Sequence, residues 1–319
     1  MITRRDFIKG TAGSAIVFPA TLTGLARERK GKLLEKRSLG RTGEMLSIIG
    51  FGGIVVKDAT TLQASQRVRE AIEMGVNYFD VAPTYGNAED MLGPALEPYR
   101  KNVFLACKTV QRRAEEAQEE LDSSLRKMRT DHFDLYQLHA VTKLEDVKTI
   151  LGPGGAMETF LKARDTGKIR FIGFSAHSVE AAQLLIKSFN FDTILFPVNF
   201  RTWHAGNFGP QVLEQAKEKG MGILALKAMA NKSLASRSER THPKCWYEPL
   251  SKPEEAALGL KFTLSHPVTA AIPPGDEELF RMAMGLASQF APLSEEEAAQ
   301  LKEKAQSGDP IFSYPSSQA

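Results

Sequence analysis

Asp80, Tyr85, Lys108 and His139 put a carboxylate, a phenol, an ammonium and an imidazole at or just after the ends of three successive predicted strands. Asp80 closes the run Val76, Asn77, Tyr78, Phe79; Lys108 closes Val103 to Cys107; His139 closes Phe133 to Leu138; Tyr85 follows Asp80 by five residues. Apolar runs of this length read as strands buried on both faces. A charge at the end of such a strand is costly unless a site uses it. Taken singly the Asp also reads as a helix N-cap, the Lys as a rim charge and the His as a hydrogen-bonded core residue; taken together the four are of the types that make an acid able to protonate a carbonyl oxygen. Hydride delivery to a carbonyl builds negative charge on oxygen, so the site needs a proton donor and a field favouring the alkoxide. A free tyrosine, with a pKa of ~10, is a weak acid at neutral pH. Lys108 is the expected cation that stabilises the phenolate and lowers that value. Asp80 is expected to hold Lys108, and His139 to donate to the substrate oxygen and orient it beside Tyr85.

The elements that must position these residues follow a repeating pattern. Apolar runs at 46–50, 78–80, 103–108, 133–139, 169–175, 193–199, 222–228 and 268–272 predict eight strands. Apolar recurrence at three and four residues predicts helices at 62–74, 114–128, 157–165, 179–188, 211–219 and 254–264, with an extra helix at 294–306. Ser178 is placed to cap one helix, Pro253 to open another, and Gly75, Gly167 and Gly220 to follow helix ends. Strand–helix repeats with short connections imply an α/β protein with a parallel sheet and right-handed crossovers. Eight such units close into a (β/α)8 TIM barrel, whose active sites form at the carboxyl rim. An open doubly wound sheet is the alternative. Against it, Gly50, Phe51, Gly52 and Gly53 are too compact for the Gly-x-Gly-x-x-Gly fingerprint.

The stretch 75–86, Gly-Val-Asn-Tyr-Phe-Asp-Val-Ala-Pro-Thr-Tyr-Gly, followed by Glu89 and by Leu92, Gly93, Pro94, Ala95 and Leu96, resembles the aldo-keto reductase family. Members carry an Asp, a Tyr five residues later, a Lys ending the next strand and a His ending the one after. Asp80, Tyr85, Lys108 and His139 match in order. The resemblance spans nearly the whole chain after its first 26 residues. It implies an NAD(P)H-dependent oxidoreductase of the aldo-keto reductase type, moving hydride to or from an aldehyde, ketone or sugar-like carbonyl, with tyrosine as general acid. By the same resemblance Ser175 binds the nicotinamide carboxamide and Asn199 is a second amide-binding position. Many members have Asn where this chain has Ala176, and His177 is the available replacement. Lys227 is placed to reach a cofactor phosphate, or is a plain rim lysine.

After the eighth strand many NADP-using members have Ile-Pro-Lys-Ser and then an Arg, which bind the 2′-phosphate. Here the run is Ile272, Pro273, Pro274, Gly275, Asp276, Glu277, Glu278. Backbone N–H groups around Gly275, at a helix start, are a possible phosphate cradle. The three acids oppose a 2′-phosphate and suit a ribose hydroxyl, while Arg281 is the compensating cation. NADP and NAD both remain open, with the resemblance leaning to NADP.

The first residues, Met1-Ile2-Thr3-Arg4-Arg5-Asp6-Phe7-Ile8-Lys9, precede a mildly apolar stretch with small residues at Gly24 and Ala26. They resemble a twin-arginine export signal, which implies use of that export machinery, a periplasmic or otherwise exported product, and a single catalytic domain over residues 27–319. A membrane span needs ~20 strongly apolar residues, and this run is shorter and broken. The whole chain has a formal charge of +3, and its first 26 residues carry most of it. The nearly neutral remainder argues against nucleic acid as a partner. Two cysteines, Cys107 and Cys245, are too few for a disulfide framework and read as a core thiol and a loop thiol. No metal-ligand spacing appears, and no large apolar surface pattern stands out, so a monomer is expected. The aromatics of 200–204 are placed on the rim, either lining a substrate pocket or packing a loop. Two other readings are a barrel that binds cofactor or a partner without turnover, and a hydrolase built on Asp80 and His139, which lacks a nucleophile.

Overall fold

The computed structural model describes residues 32–315; the expected export signal lies outside the described residues. Eight parallel strands form one sheet: β1 (Phe51–Gly52), β2 (Tyr78–Asp80), β3 (Phe104–Thr109), β4 (Phe133–Val141), β5 (Ile169–Ala176), β6 (Thr193–Pro197), β7 (Gly222–Leu226) and β8 (Ala270–Ile272). They pair in chain order. An Ile49–Ala271 bridge, with Gly50 N–H donating to Ala271 O at 2.9 Å, links the first strand region to the last and closes the barrel.

Side chains alternate across each strand with period two, and here that alternation separates two apolar layers. Tyr78, Phe104, Ala106, Leu135, Leu195, Leu224, Ala270 and Ile272 fill the barrel interior. Phe79, Leu105, Cys107, Tyr136, Ile172, Ile194 and Ala225 point outward to the helices. Asp80 and Lys108 share the inward parity of Tyr78 and Ala106, two residues further along the same strands, and His139 that of Leu135, four residues further. The pattern that packs the interior therefore also aims the polar residues into its mouth.

The predicted helices form with small boundary shifts, at Thr61–Glu73, Ala114–Lys127, Ala156–Asp165, Val179–Ser188, Pro210–Glu218, Pro253–Leu264 and Glu295–Ala305. Ser178 caps its helix by accepting from Ala181 N–H at 3.1 Å. Gly75 sits at φ +91°, a left-handed turn that returns the chain from helix to β2. Helices Ala88–Leu96, Leu144–Leu151 and Glu277–Ala287 complete the outer ring.

The first predicted strand is displaced. Residues 46–50 do not form a single barrel strand: Met45–Ser47 pairs antiparallel with Lys36–Ser38, and barrel pairing in β1 starts at Phe51. An apolar run long enough for both elements hides the break between them. Leu39 and Leu46 of this hairpin join the interior cluster, opposite the end that carries the polar residues. The stretch 230–249, expected as a loop, contains a second hairpin, Ala230–Ser233 with Tyr247–Pro249. Cys245 lies, as expected, in the loop before Tyr247, and there it is buried in a small apolar cluster with Ala230 and Tyr247. Both cysteines are free. Among the described residues no helix is long and apolar enough to cross a membrane.

Candidate active site

The inward ends of β2, β3 and β4 bring the four chemical residues together. Lys108 is fully buried and its Nζ donates to an Asp80 carboxylate oxygen, to Val81 O at 3.2 Å and to Tyr85 Oη at 3.4 Å. The other Asp80 oxygen accepts from Tyr78 Oη and Gln137 Nε2, each at 3.1 Å. A buried ion pair is tolerable only when its remaining lone pairs and protons are satisfied, and Tyr78 and Gln137 meet that need for Asp80. Burial alone would lower the Lys108 pKa, but Asp80 and then Tyr85 outweigh it and hold the ammonium above its ordinary value.

Tyr85 departs from expectation in one respect. Burial pushes its phenol up, and Lys108 opposes that only in part, so its pKa lies above the ordinary value rather than below it. The ammonium therefore keeps a desolvated phenol usable as an acid without making it a strong one.

His139 stands edge-on to the Tyr85 ring, with centroids 5.7 Å apart. Burial, then Lys108, His177 and Arg112, lower it to about 2, so its ring is neutral at any working pH. A neutral imidazole has one N–H to donate. The strand register shifts between Leu138 and Val141, and Ala140 sits at φ +52°. Ser175 Oγ accepts from Ala140 N–H at 2.8 Å and pins this irregular stretch to β5.

These residues open into a cavity of about 260 Å³, also lined by Gly52, Ile54, His177, Leu226, Lys227, Lys244, Trp246, Tyr247, Pro273, Pro274 and Gly275. Ser175 and Gly275, two of the expected cofactor contacts, thus line this cavity. Gly275 packs against Ile54 so closely that a Cβ would strike its side chain. Lys227 lies over the faces of Tyr247 and Trp246, with Nζ 4.8 and 5.1 Å from their centroids. Burial pulls its ammonium down to about 8, partly offset by Cys245. Among the described residues it makes no ion pair.

Two expected cofactor contacts are placed elsewhere. Asn199 does not line the cavity; its Oδ1 accepts from Arg201 and Thr202 N–H at 3.1 and 3.0 Å, capping the short helix Phe200–His204. Its oxygen is thus occupied by two backbone donors, while its buried Nδ2 has no hydrogen-bond partner among the described residues. Arg281 points away into solvent-facing pairs with Glu70 at 2.9 Å and Glu277 at 2.7 Å. The helix start after Gly275 is likewise taken, because Asp276 accepts from Glu278 and Leu279 N–H.

The aromatics of 200–204 are not in the cavity wall. Trp203 packs on Phe262 and His266. Arg201 is buried and ties Asn231, Ala305 and Gly308 together through their carbonyls. Sequence reasoning missed Tyr78, Gln137, Lys244, Trp246 and Tyr247. The first two had a usable signal, since each precedes a chemical residue by two and so shares its face. The last three come from the second hairpin region, whose fold no local pattern announced.

Cations at this wall without an ion-pair partner among the described residues fit a cofactor that carries phosphates, and Ser175, whose Oγ accepts from Ala140 N–H, keeps its own O–H to donate to a carboxamide. Residues 49–306 match the family model described as Aldo/keto reductase family. The chain is 33% identical over 166 residues to the aldo-keto reductase YhdN of Bacillus subtilis, covering 46% of this chain and 48% of that one. It is 27% identical over 217 residues to L-galactose dehydrogenase of Arabidopsis thaliana, covering 62% and 66%. These alignments thus span about half to two thirds of the relatives' own lengths. The structure superposes on aldo-keto reductase AKR11C1 from Bacillus halodurans, holo form, with a TM-score of 0.67 at 22% identity, covering 87% of this chain and 98% of that one.

Proposed function

Because the chain belongs to the aldo/keto reductase family, we propose that it is an NAD(P)-dependent oxidoreductase acting on an aldehyde, ketone or sugar-like carbonyl. The observation that carries this reading is the buried Lys108 ammonium held between Asp80 and Tyr85. A scaffold without turnover has no use for a desolvated cation beside a phenol.

When bound, the nicotinamide supplies or accepts the hydride. Tyr85 donates the proton to the substrate oxygen in reduction and takes it back in oxidation. Lys108 stabilises the negative charge that appears on Tyr85 as the proton leaves. Neutral His139 donates to the same substrate oxygen and fixes its direction. Ser175 holds the carboxamide, and Lys227 faces the diphosphate. Every residue in this scheme comes from one chain, so a monomer suffices.

Titration of the full chain with NADPH and with NADH, followed by cofactor fluorescence, tests the reading. Micromolar binding of either, then oxidation of the bound cofactor on adding a panel of aldehydes and ketones, is the expected outcome. Binding of neither sinks the proposal.

We further propose that residues 1–26 direct the folded protein through the twin-arginine route to the periplasm. Changing Arg4 and Arg5 together to Lys should then leave the product in the cytoplasmic fraction of its host. An unchanged distribution would remove this part of the reading.

A further inference from the structure

His139 has to present one N–H to one point in the cavity, and little around its ring fixes that direction. Its Nδ1 stands 3.5 Å from Thr84 Oγ1, longer than a firm hydrogen bond, and Tyr85 meets it edge to face. The aim of the ring is therefore set by the backbone that carries it. That backbone is irregular: pairing with β3 ends at Leu138, the register to β5 passes from Leu138 to Val141, and Ala140 adopts φ +52°. A residue with a Cβ stays in that left-handed region only where its surroundings hold it there.

Two side chains supply the hold. Ser175 Oγ takes the Ala140 N–H on one side. On the other, Arg112 Nη2 donates to His139 O at 2.9 Å and lies 3.5 Å from Ala140 O. Arg112 is itself anchored. Its backbone O accepts from Ala156 N–H at 2.9 Å, Arg113 bridges to Gly155, and its Nε lies 3.4 Å from Asp146 Oδ2 on the helix Leu144–Leu151. Its buried Nη1 has no acceptor among the described residues, a cost not expected of a cation kept only for solvation. Arg112 is not among the groups lining the cavity, so any effect it has on chemistry passes through the residues it holds.

Resting on the reductase reading above, we infer that Arg112 is a positioning residue for the carbonyl chemistry: with Ser175 it locks the 139–140 turn in the one conformation that aims the His139 N–H at the substrate oxygen. Without the guanidinium, Ala140 is free to return to ordinary backbone angles, and the peptide that carries the imidazole turns with it. The residue thus acts from β3, across the barrel wall, on a group carried by β4.

The test measures cofactor Kd and the single-turnover rate of bound-cofactor oxidation by an aldehyde, in the full chain and in Arg112→Ala, Arg112→Lys, His139→Ala and the double variant Arg112→Ala with His139→Ala. A donor displaced by about 1 Å costs on the order of 10²-fold, so Arg112→Ala should slow the reaction roughly 10- to 100-fold while cofactor Kd stays within about threefold. Arg112→Lys keeps a charge beside Asp146 but lacks the planar fork, and should lose at least about tenfold as well; it carries the test if the Ala variant does not fold. In the His139→Ala background the Arg112 substitution should cost less than about twofold, because a donor that is gone cannot be misaimed. Parent-like rates in either Arg112 variant, an equal loss with and without His139, or a parallel loss of cofactor binding overturns the inference and leaves the reductase reading intact. An unmodified chain that binds no nicotinamide cofactor, or oxidises none with any carbonyl, overturns both.

Discussion

Tyr85→Phe is expected to lower kcat for carbonyl reduction by a factor on the order of 10²–10⁴, the usual cost of losing a positioned general acid. The substitution removes one hydroxyl at the wall of an existing cavity, so Kd for either cofactor and the melting temperature should barely move. That separation matters, because a fall in kcat with unchanged binding marks an interaction made only in the transition state. The pH profile supplies a second readout. Burial, opposed in part by Lys108, holds the Tyr85 phenol above its ordinary value, so the acid stays protonated throughout the neutral range. His139, lowered to about 2, does not titrate there either. Reductive kcat at saturating cofactor should therefore show no inflection near the ordinary histidine value of ~6.5, any step near 8 belonging to Lys227, and should fall as Tyr85 loses its proton at higher pH. A Phe variant with more than about a tenth of the parent turnover would remove Tyr85 from the proposed role. An inflection near pH 6.5 would instead show that His139 changes charge during the reaction.

Much of this site was legible because period two is a strong constraint. Once 133–139 is read as a strand with Leu135 inward, His139 must face the same way, and the same holds for Asp80 and Lys108. Their meeting at one rim then follows from parallel pairing in chain order. Three kinds of feature were not legible. The first strand was misplaced because the apolar run 46–49 serves both the hairpin that plugs the barrel and the approach to β1; composition does not mark where one ends. Asn199 carries its cofactor role by resemblance and Arg281 as a compensating cation, and which partners their side chains meet in the folded chain is set by packing that sequence does not show. Asn199 found two helix N–H groups, and Arg281 found two carboxylates. Lys244, Trp246 and Tyr247 reach the cavity from a segment with neither helical nor strand periodicity over most of its length. The direction of the Tyr85 shift was also hidden, because a sequence shows the charges nearby and not the depth of burial that outweighs them.

Lys108→Met should be the most damaging single change, since it removes the cation that serves both chemistry and fold. Turnover should fall at least 10²-fold, because charge developing on Tyr85 loses the ammonium 3.4 Å away. Stability should fall by about 3–5 kcal/mol, the typical effect of leaving one partner of a buried ion pair alone. For a domain of this size that corresponds to a drop of roughly 10 °C in Tm. The stability loss comes from Asp80, which is 2% exposed and would keep Tyr78 and Gln137 as donors but no countercharge. Neutralising it as well should reverse the loss: Lys108→Met with Asp80→Asn keeps an acceptor for those two donors and removes the unpaired charge. Urea melts of the two variants separate the roles of the pair. Recovery of most of the stability with no recovery of turnover is expected, because the chemistry needs the cation and the fold needs only that charge be balanced. A single variant as stable as the parent would mean that the Lys108–Asp80 pair does not hold the fold. Recovery of turnover in the double variant would move the stabilising charge from Lys108 to some other group at the rim.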